Sequence, residues 1–179
     1  MQPLSDEILM SQVKAGETQA LGELYERYKS KLFTYFLRVS GDRAASNDLL
    51  MNTFERLYKY RKGFKEDAAF RPWCYQIANN LLKDHFKRQR RNAKLTKAHF
   101  TQNEAIHQLE IDNPPNYNVL HKALDQLNPL DKRIITQYYL MEAPYNEIAV
   151  MENISVNSAR IRVCRTLKQL KELLKNADL

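Results

Sequence analysis

Apolar residues recur along most of this chain at spacings of three and four, the period of an amphipathic α-helix. No stretch sustains the alternation of apolar and polar residues that marks a half-buried β-strand. The sequence therefore predicts an all-α protein. The predicted helices cover residues 5–15, 17–39, 44–60, 70–91, 119–127, 130–141, 145–151 and 155–174.

Residues 93–117 interrupt this periodicity. They are rich in Asn, Gln and Thr, and residues 112–116 read Asp-Asn-Pro-Pro-Asn. Such a composition is typical of a linker between folded modules. We therefore expect two small helical bundles, over residues 1–92 and 118–179, joined by a flexible linker over residues 93–117.

The second bundle carries the pattern of a helix-turn-helix, with a short helix over 145–151, a turn over 152–154 and a longer helix from Ser155. Between Ser155 and Lys175 the longer helix has six basic residues and one acidic residue. An exposed arginine can form two hydrogen bonds with a guanine edge in the major groove, so this helix is a candidate DNA reader. The alternative is a solvated basic face on an ordinary helix.

A second basic element runs from Lys83 to Lys97, with seven Lys or Arg residues and a single Asp. Aromatic residues lie within it and before it, including Trp73, Tyr75 and Phe86. Positive charge beside aromatic rings suits single-stranded DNA, whose bases stack on the rings. The alternative is a solvated helix end, where cations are favoured by the helix dipole.

The predicted helix over residues 44–60 has two distinct faces. We expect its inward face to consist of Leu49, Leu50, Thr53, Phe54, Leu57 and Tyr58. On the outer face, Asp48, Asn52 and Glu55 align at spacings of four and three. This acidic strip on a basic protein could dock a basic partner, although it could also be plain surface.

The charge balance favours a polyanionic partner, since 28 Lys and Arg residues oppose 21 Asp and Glu residues, for a net charge of +7. The two cysteines, Cys74 and Cys164, are too few and too distant to suggest a disulfide framework. No apolar run approaches the roughly 20 residues of a membrane span, and Asp6 and Glu7 are unlike the start of a signal peptide. We therefore expect a cytoplasmic protein.

Signals of enzymatic chemistry are poor. The four histidines lack the spacing of metal ligands, and the chain has no Gly-rich phosphate loop, no Cys-x-x-Cys motif and no serine elbow. We therefore expect no catalytic residue, no metal and no cofactor.

Taken together, these segments resemble the group 4, or extracytoplasmic-function, sigma factors of the sigma-70 family. Residues 70–88 (FRPWCYQIANNLLKDHFKR) are similar to the family's regions 2.3 and 2.4, and residues 48–54 (DLLMNTF) are similar to region 2.2. Residues 145–149 (YNEIA) and 160–165 (RIRVCR) are similar to region 4.2.

The chain departs from the family pattern at a few positions. Met51 and Asn52 stand where region 2.2 usually has Gln and Glu, and Asn153 and Asn157 stand at two usual glycines of region 4.2. The order and spacing of the motifs nevertheless follow the family over nearly the whole chain.

The resemblance implies a promoter-specificity factor that binds core RNA polymerase, through its β′ and β subunits, and promoter DNA. Polymerase docking falls on Asp48, Met51, Asn52 and Glu55. The resemblance assigns capture of the opened −10 strand to Arg61, Lys62, Phe64, Trp73, Asn79, Asn80, Lys83, Asp84, Lys87 and Arg88. Recognition of the duplex −35 element falls on Ser158, Arg160, Ile161, Arg162, Cys164 and Arg165.

Within the last set we expect Arg165 to read a base and Arg162 to hold a phosphate, while Arg160 stays open between the two roles. The resemblance also leaves open an anti-sigma factor as a further partner. Two other hypotheses remain at this point. One is a free-standing helix-turn-helix regulator that binds DNA as a dimer, and the other is an enzyme with an unrecognised site.

Overall fold

The computed structural model describes residues 3–65, 67–96 and 116–177. The regular structure in these ranges is helical throughout, which confirms the predicted all-α class. The chain divides into two compact units, residues 1–100 and 101–179. Most of the predicted linker, residues 97–115, lies outside the described residues.

The first unit contains four α-helices and one 3₁₀ turn among its described residues. They are α1 (Asp6–Ala15), α2 (Thr18–Ser40), α3 (Arg43–Lys59), the 3₁₀ turn Arg61–Gly63 and α4 (Phe70–Thr96). The Ser5 hydroxyl caps α1 by accepting a hydrogen bond from the Ile8 backbone N–H. Gly41 ends α2 in the left-handed region at φ 72°, a conformation that suits glycine.

Aromatic rings from α2 and α4 form the centre of the first unit's core. Tyr28 meets Phe70 with ring centroids 5.2 Å apart, and Tyr35 meets Tyr75 at 5.7 Å, both edge to face. Cys74 is fully buried beside them, and this burial raises the pKa of its thiol, which therefore stays protonated. The expected inward face of α3 is buried except for Tyr58, which is exposed, so that expectation was wrong for Tyr58.

The second unit contains α5 (Asn116–Asp125), α6 (Pro129–Leu140), α7 (Tyr145–Glu152) and α8 (Val156–Ala177). Asn128 caps α6 through its side chain, which accepts a hydrogen bond from the Asp131 backbone N–H at 2.9 Å. Pro129 follows at the first helical position, where its missing N–H costs nothing. The core of this unit consists of Ala123, Leu127, Ile134, Ile135, Met141, Ala143, Ile148, Ala149, Met151, Ala159, Val163 and Leu170.

A buried polar network that no sequence pattern predicts joins α6 to α7. The Arg133 guanidinium donates two hydrogen bonds of 2.8 and 3.0 Å to the two carboxylate oxygens of Glu152. The Gln137 amide donates a third to Glu152, at 2.8 Å. Breaking such a buried pair costs about 3–5 kcal/mol, because the remaining charge is left without its partner. The network therefore fixes the first helix of the helix-turn-helix against α6.

Candidate nucleic-acid and polymerase interfaces

The turn between α7 and α8 has the geometry that the sequence predicts for a helix-turn-helix. Asn153 ends α7 in the left-handed region, at φ 56° and ψ 52°, and its backbone N–H donates to α7 carbonyls. Asparagine tolerates this region better than most residues, which explains how it stands where glycine is usual. The Ser155 hydroxyl then accepts a hydrogen bond from the Ser158 N–H at 3.1 Å and caps α8.

The face of α8 that points away from the core is basic and partly apolar. Arg160, Ile161, Cys164 and Arg165 are exposed on it, with Ile161 at 54%. The Arg165 side chain is 63% exposed. This arrangement offers guanidinium donors beside an apolar side chain, the combination that reads base edges and thymine methyl groups.

Two other residues expected on this face are less exposed. Ser158 receives a hydrogen bond from the Ser155 hydroxyl at 2.8 Å. Arg162 is half-buried, and its Nη1 lies 2.8 Å from Oδ1 of Asp131 on α6. The Arg162 guanidinium is therefore held by a carboxylate of the same unit.

The outward side of α4 carries most of the residues expected to meet the −10 strand. Asn80, Lys83, Asp84, Lys87 and Arg88 are all exposed there. The Asp84 carboxylate lies 3.6 Å from the guanidinium of Arg56 on α3. An amide and several cations thus share one surface of the first unit.

Two residues of the expected −10 set lie in the core, so the structure corrects both assignments. Asn79 is fully buried, and its side-chain oxygen accepts a hydrogen bond of 2.5 Å from the Tyr35 hydroxyl. Phe64 is 2% exposed, and its ring packs against Trp73 with centroids 5.1 Å apart. Both residues support the surface from beneath, while Trp73 stays partly exposed.

The end of α3 and the segment that joins it to α4 present exposed aromatic residues that were not among the predicted site residues. Tyr58 and Tyr60 are both exposed, and Arg61 stacks over the Tyr58 ring, 4.0 Å from its centroid. Lys62 is exposed beside them. The signal was available in the run Tyr58-Lys59-Tyr60-Arg61-Lys62, in which aromatic and basic residues alternate.

Helix α1 holds this connecting segment at two points. Lys14 Nζ donates a hydrogen bond of 3.1 Å to the carbonyl oxygen of Phe64. The Glu7 carboxylate accepts one of 3.1 Å from the backbone N–H of Phe70, where α4 begins. The path of the segment is therefore fixed by side chains 50 and 63 residues away in sequence.

The outer face of α3 bears the residues expected to dock on polymerase. Asp48, Met51, Asn52 and Glu55 are exposed, and Met51 is 60% exposed. Leu49, Leu50 and Phe54 are buried on the opposite face. The face is therefore acidic with an apolar residue in its middle.

Within residues 3–65, 67–96 and 116–177, no helix combines the length and the apolar character that a membrane crossing requires. The same ranges contain no cluster of His, Cys, Asp and Glu residues that could hold a metal ion.

Fold and surfaces together define a modular helical DNA-binding protein with one helix-turn-helix unit. Comparison with known families identifies it further. The Sigma-70 region 2 family matches residues 24–92, and the family described as Sigma-70, region 4 matches residues 117–170. The chain therefore belongs to the sigma-70 family, and its relatives assign it to the extracytoplasmic-function group.

Two relatives and one solved structure illustrate the similarity. The chain is 29% identical to the ECF RNA polymerase sigma factor BldN of Streptomyces coelicolor, over 90% of this chain and 64% of that protein. It is 26% identical to the RNA polymerase sigma factor CarQ of Myxococcus xanthus, over 95% of this chain and 98% of that protein. The sigma factor RpoE of Bartonella quintana, solved with the anti-sigma factor NepR, shares the fold with a TM-score of 0.73 and 18% identity, over 86% and 97% of the two chains.

This membership establishes the general function. The protein is a sigma factor that directs promoter-specific transcription initiation, and it acts as an initiation factor rather than as an enzyme. Its partners are RNA polymerase and promoter DNA. The free-standing regulator and the enzyme, which the sequence had left open, are accordingly set aside.

Proposed function

We propose that the two modules divide promoter recognition between them. Residues 1–92 dock on core RNA polymerase and capture the opened −10 strand, while residues 118–179 read the duplex −35 element. Residues 93–117 connect the two modules. The proposal is supported by the two family matches, which fall on different modules, and by the different chemistry of their exposed faces.

The observation that carries the −35 assignment is the exposed row Arg160, Ile161, Cys164 and Arg165 on α8. Arg165 reads a base, since its side chain is 63% exposed and its planar guanidinium can present two donors to a guanine edge. Arg162 and Ser158 hold the DNA backbone around that contact, and Arg160 beside them contacts either a base or a phosphate. Phosphate contacts set the position of the helix, and base contacts set the sequence preference.

The experiment that tests this assignment compares Arg165→Ala with Lys168→Ala, each assembled into holoenzyme. Both variants lose one exposed positive charge from α8. On a −35 library at two salt concentrations, loss of Arg165 should cost about 1–3 kcal/mol at one base pair and relax the preference there. Lys168→Ala should weaken all sequences equally. If Arg165→Ala keeps every wild-type base preference, Arg165 is not the reader.

The −10 assignment rests on the surface that α4 and the segment before it form together. Asn80 offers an amide with both donors and acceptors to an unpaired base. Lys83, Lys87, Arg88 and Lys62 hold the strand's phosphates, with Asp84 and Arg61 at the edge of the surface. Tyr60 adds an exposed ring on which a base stacks, a contact worth about 1–3 kcal/mol. Trp73 contributes its exposed edge, and Asn79 and Phe64 act only as support.

The docking assignment rests on the outer face of α3. Asp48 and Glu55 meet basic residues of the polymerase β′ subunit, while Met51 and Asn52 fill the contact between them. An exposed acidic face on a protein of net charge +7 is unsuited to DNA and suited to a basic protein surface. The second module contacts the β subunit while it reads the −35 element.

The setting and regulation follow from the same function. Because the protein acts on RNA polymerase and chromosomal DNA, its place of action is the cytoplasm. The structural relative from Bartonella quintana was solved with the anti-sigma factor NepR. By extension, an anti-sigma factor is the class of regulator that holds this chain away from polymerase.

A further inference from the structure

A buried carboxylate lies directly beneath the DNA-facing arginines of α8. Asp131 lies in the first turn of α6, and its side chain is only 3% exposed. Its Oδ1 is 2.8 Å from Arg162 Nη1, and its Oδ2 is 3.6 Å from Arg165 Nη2. One carboxylate thus bridges the two arginines, which are 31 and 34 residues further along the chain.

The cap of α6 explains only part of this arrangement. The Asn128 side chain already caps α6, by accepting the Asp131 backbone N–H, and its amide also donates to Asp131 Oδ2. The helix dipole also stabilises a negative charge in the first turn. Neither effect requires both arginines to turn toward α6, and a negative charge beside a DNA-binding surface weakens its attraction for phosphate.

We propose that Asp131 is a positioning residue for −35 recognition, an inference that rests on the proposed function of α8. The carboxylate holds the guanidinium groups of Arg162 and Arg165 in one orientation before DNA arrives. A free arginine samples many rotamers, whereas a preorganised one loses less freedom when it binds. The same charge lowers the attraction of the two arginines for DNA of any sequence, so Asp131 exchanges general affinity for discrimination.

Asp131→Asn tests this proposal, because it removes the charge with little change of shape. The affinity of holoenzyme with this variant is measured for the −35 sequence that wild type prefers in the library and for unrelated duplex DNA. We expect affinity for unrelated DNA to rise. The plot of log affinity against log salt concentration should become steeper, by up to about the slope that one phosphate contact gives. Affinity for the −35 sequence relative to unrelated DNA should fall by about fivefold or more, the lower limit for one bidentate base contact.

Asp125→Asn is the matched control. Asp125 pairs with Lys132 at 2.7 Å in the same unit, so its loss removes the same charge without touching Arg162 or Arg165. This variant should keep the wild-type ratio of specific to unrelated binding. A purely structural role of Asp131 would lower both affinities in proportion, and an unchanged ratio in Asp131→Asn would overturn the proposal.

Two further variants keep the test decisive. If Asp131→Asn is too unstable to bind, Asp131→Glu provides the same comparison, because the longer arm displaces both guanidinium groups, and the ratio should fall here too. Arg165→Ala distinguishes failure of base reading by α8 from failure of the positioning role of Asp131. If it keeps every base preference, the proposed reading by α8 fails. If it loses one preference while the Asp131 variant keeps the wild-type ratio, only the role of Asp131 fails.

Discussion

Neighbouring amides on α4 show how one position along a helix changes the role of a residue. A step of one residue turns a side chain by about 100° around the helix axis. Asn79 therefore enters the core and bonds to the Tyr35 hydroxyl, while Asn80 faces outward. The same residue type thus serves stability at one position and the proposed capture of DNA at the next.

Alanine substitutions at these two positions should separate stability from function. Asn79→Ala leaves the buried Tyr35 hydroxyl without this acceptor, so we expect the free energy of unfolding to fall by about 1–3 kcal/mol. Asn80→Ala should change it by less than about 0.5 kcal/mol, as exposed substitutions usually do. Chemical denaturation measures the first effect. Permanganate footprinting of holoenzyme measures −10 opening, which we expect Asn80→Ala to weaken. Normal −10 opening with Asn80→Ala would contradict the role of Asn80.

At the residue scale, the sequence predicts the exposed side of α8, but it does not predict which functional candidates are buried or which partners they bind. The exposed side of α8 follows from its helical period, and the cap at Ser155 follows from a serine placed just before the helix. Asn79 and Phe64 were misplaced because a polar amide and a loop aromatic carry no local mark of burial. The pairing of Asp131 with Arg162 could not be foreseen either, since it depends on how α6 packs against α8.

At the scale of elements, the caps and breaks in the sequence locate the helices closely. Asn128 and Pro129 open α6 within one residue of its predicted start, and Gly41 separates α2 from α3. The end of α4 was less predictable, because the helix continues to Thr96 through a basic stretch without apolar periodicity. The part played by α1 was not predicted at all, since Glu7 and Lys14 reach residues far along the chain.

Charge reversal on the outer face of α3 tests that element's role. We expect the double variant Asp48→Lys and Glu55→Lys to weaken binding to core polymerase by roughly tenfold or more, since close interfacial charge pairs are worth about 1.5 kcal/mol or more. Glu26→Lys, at an exposed site on α2, is the control. Binding is measured by titration with labelled protein, and circular dichroism checks the helical content. Unchanged affinity of the double variant would exclude this face.

The contacts from α1 suggest a second test at the same scale. Lys14→Met keeps the length of the side chain but removes its hydrogen bond to Phe64, a charged bond worth about 1.5–3 kcal/mol. We expect faster amide hydrogen exchange at Phe64 and weaker permanganate reactivity of the −10 strand. The control is Lys31→Met, at an exposed position on α2. Wild-type exchange together with wild-type opening would show that α1 does not position this segment.

At the scale of the whole molecule, neither unit needs high affinity for DNA by itself. A linker raises the effective concentration of the second module once the first is bound. Sequence composition predicts a linker, and helical periodicity predicts the two bundles that it joins. The order of the family motifs along the chain then identifies the function, which composition and charge leave open.

Transcription from random DNA tests whether this chain by itself gives core RNA polymerase its promoter specificity. Core RNA polymerase free of other sigma factors is mixed with the purified chain and a library of randomised templates, and the transcribed templates are sequenced. We expect transcripts only when the chain is present, from templates that share two short motifs at constant spacing. Arg165→Ala should relax the upstream motif alone, and Asn80→Ala the downstream motif alone. Transcription that depends on adding another sigma factor, or templates without shared motifs, would contradict the account.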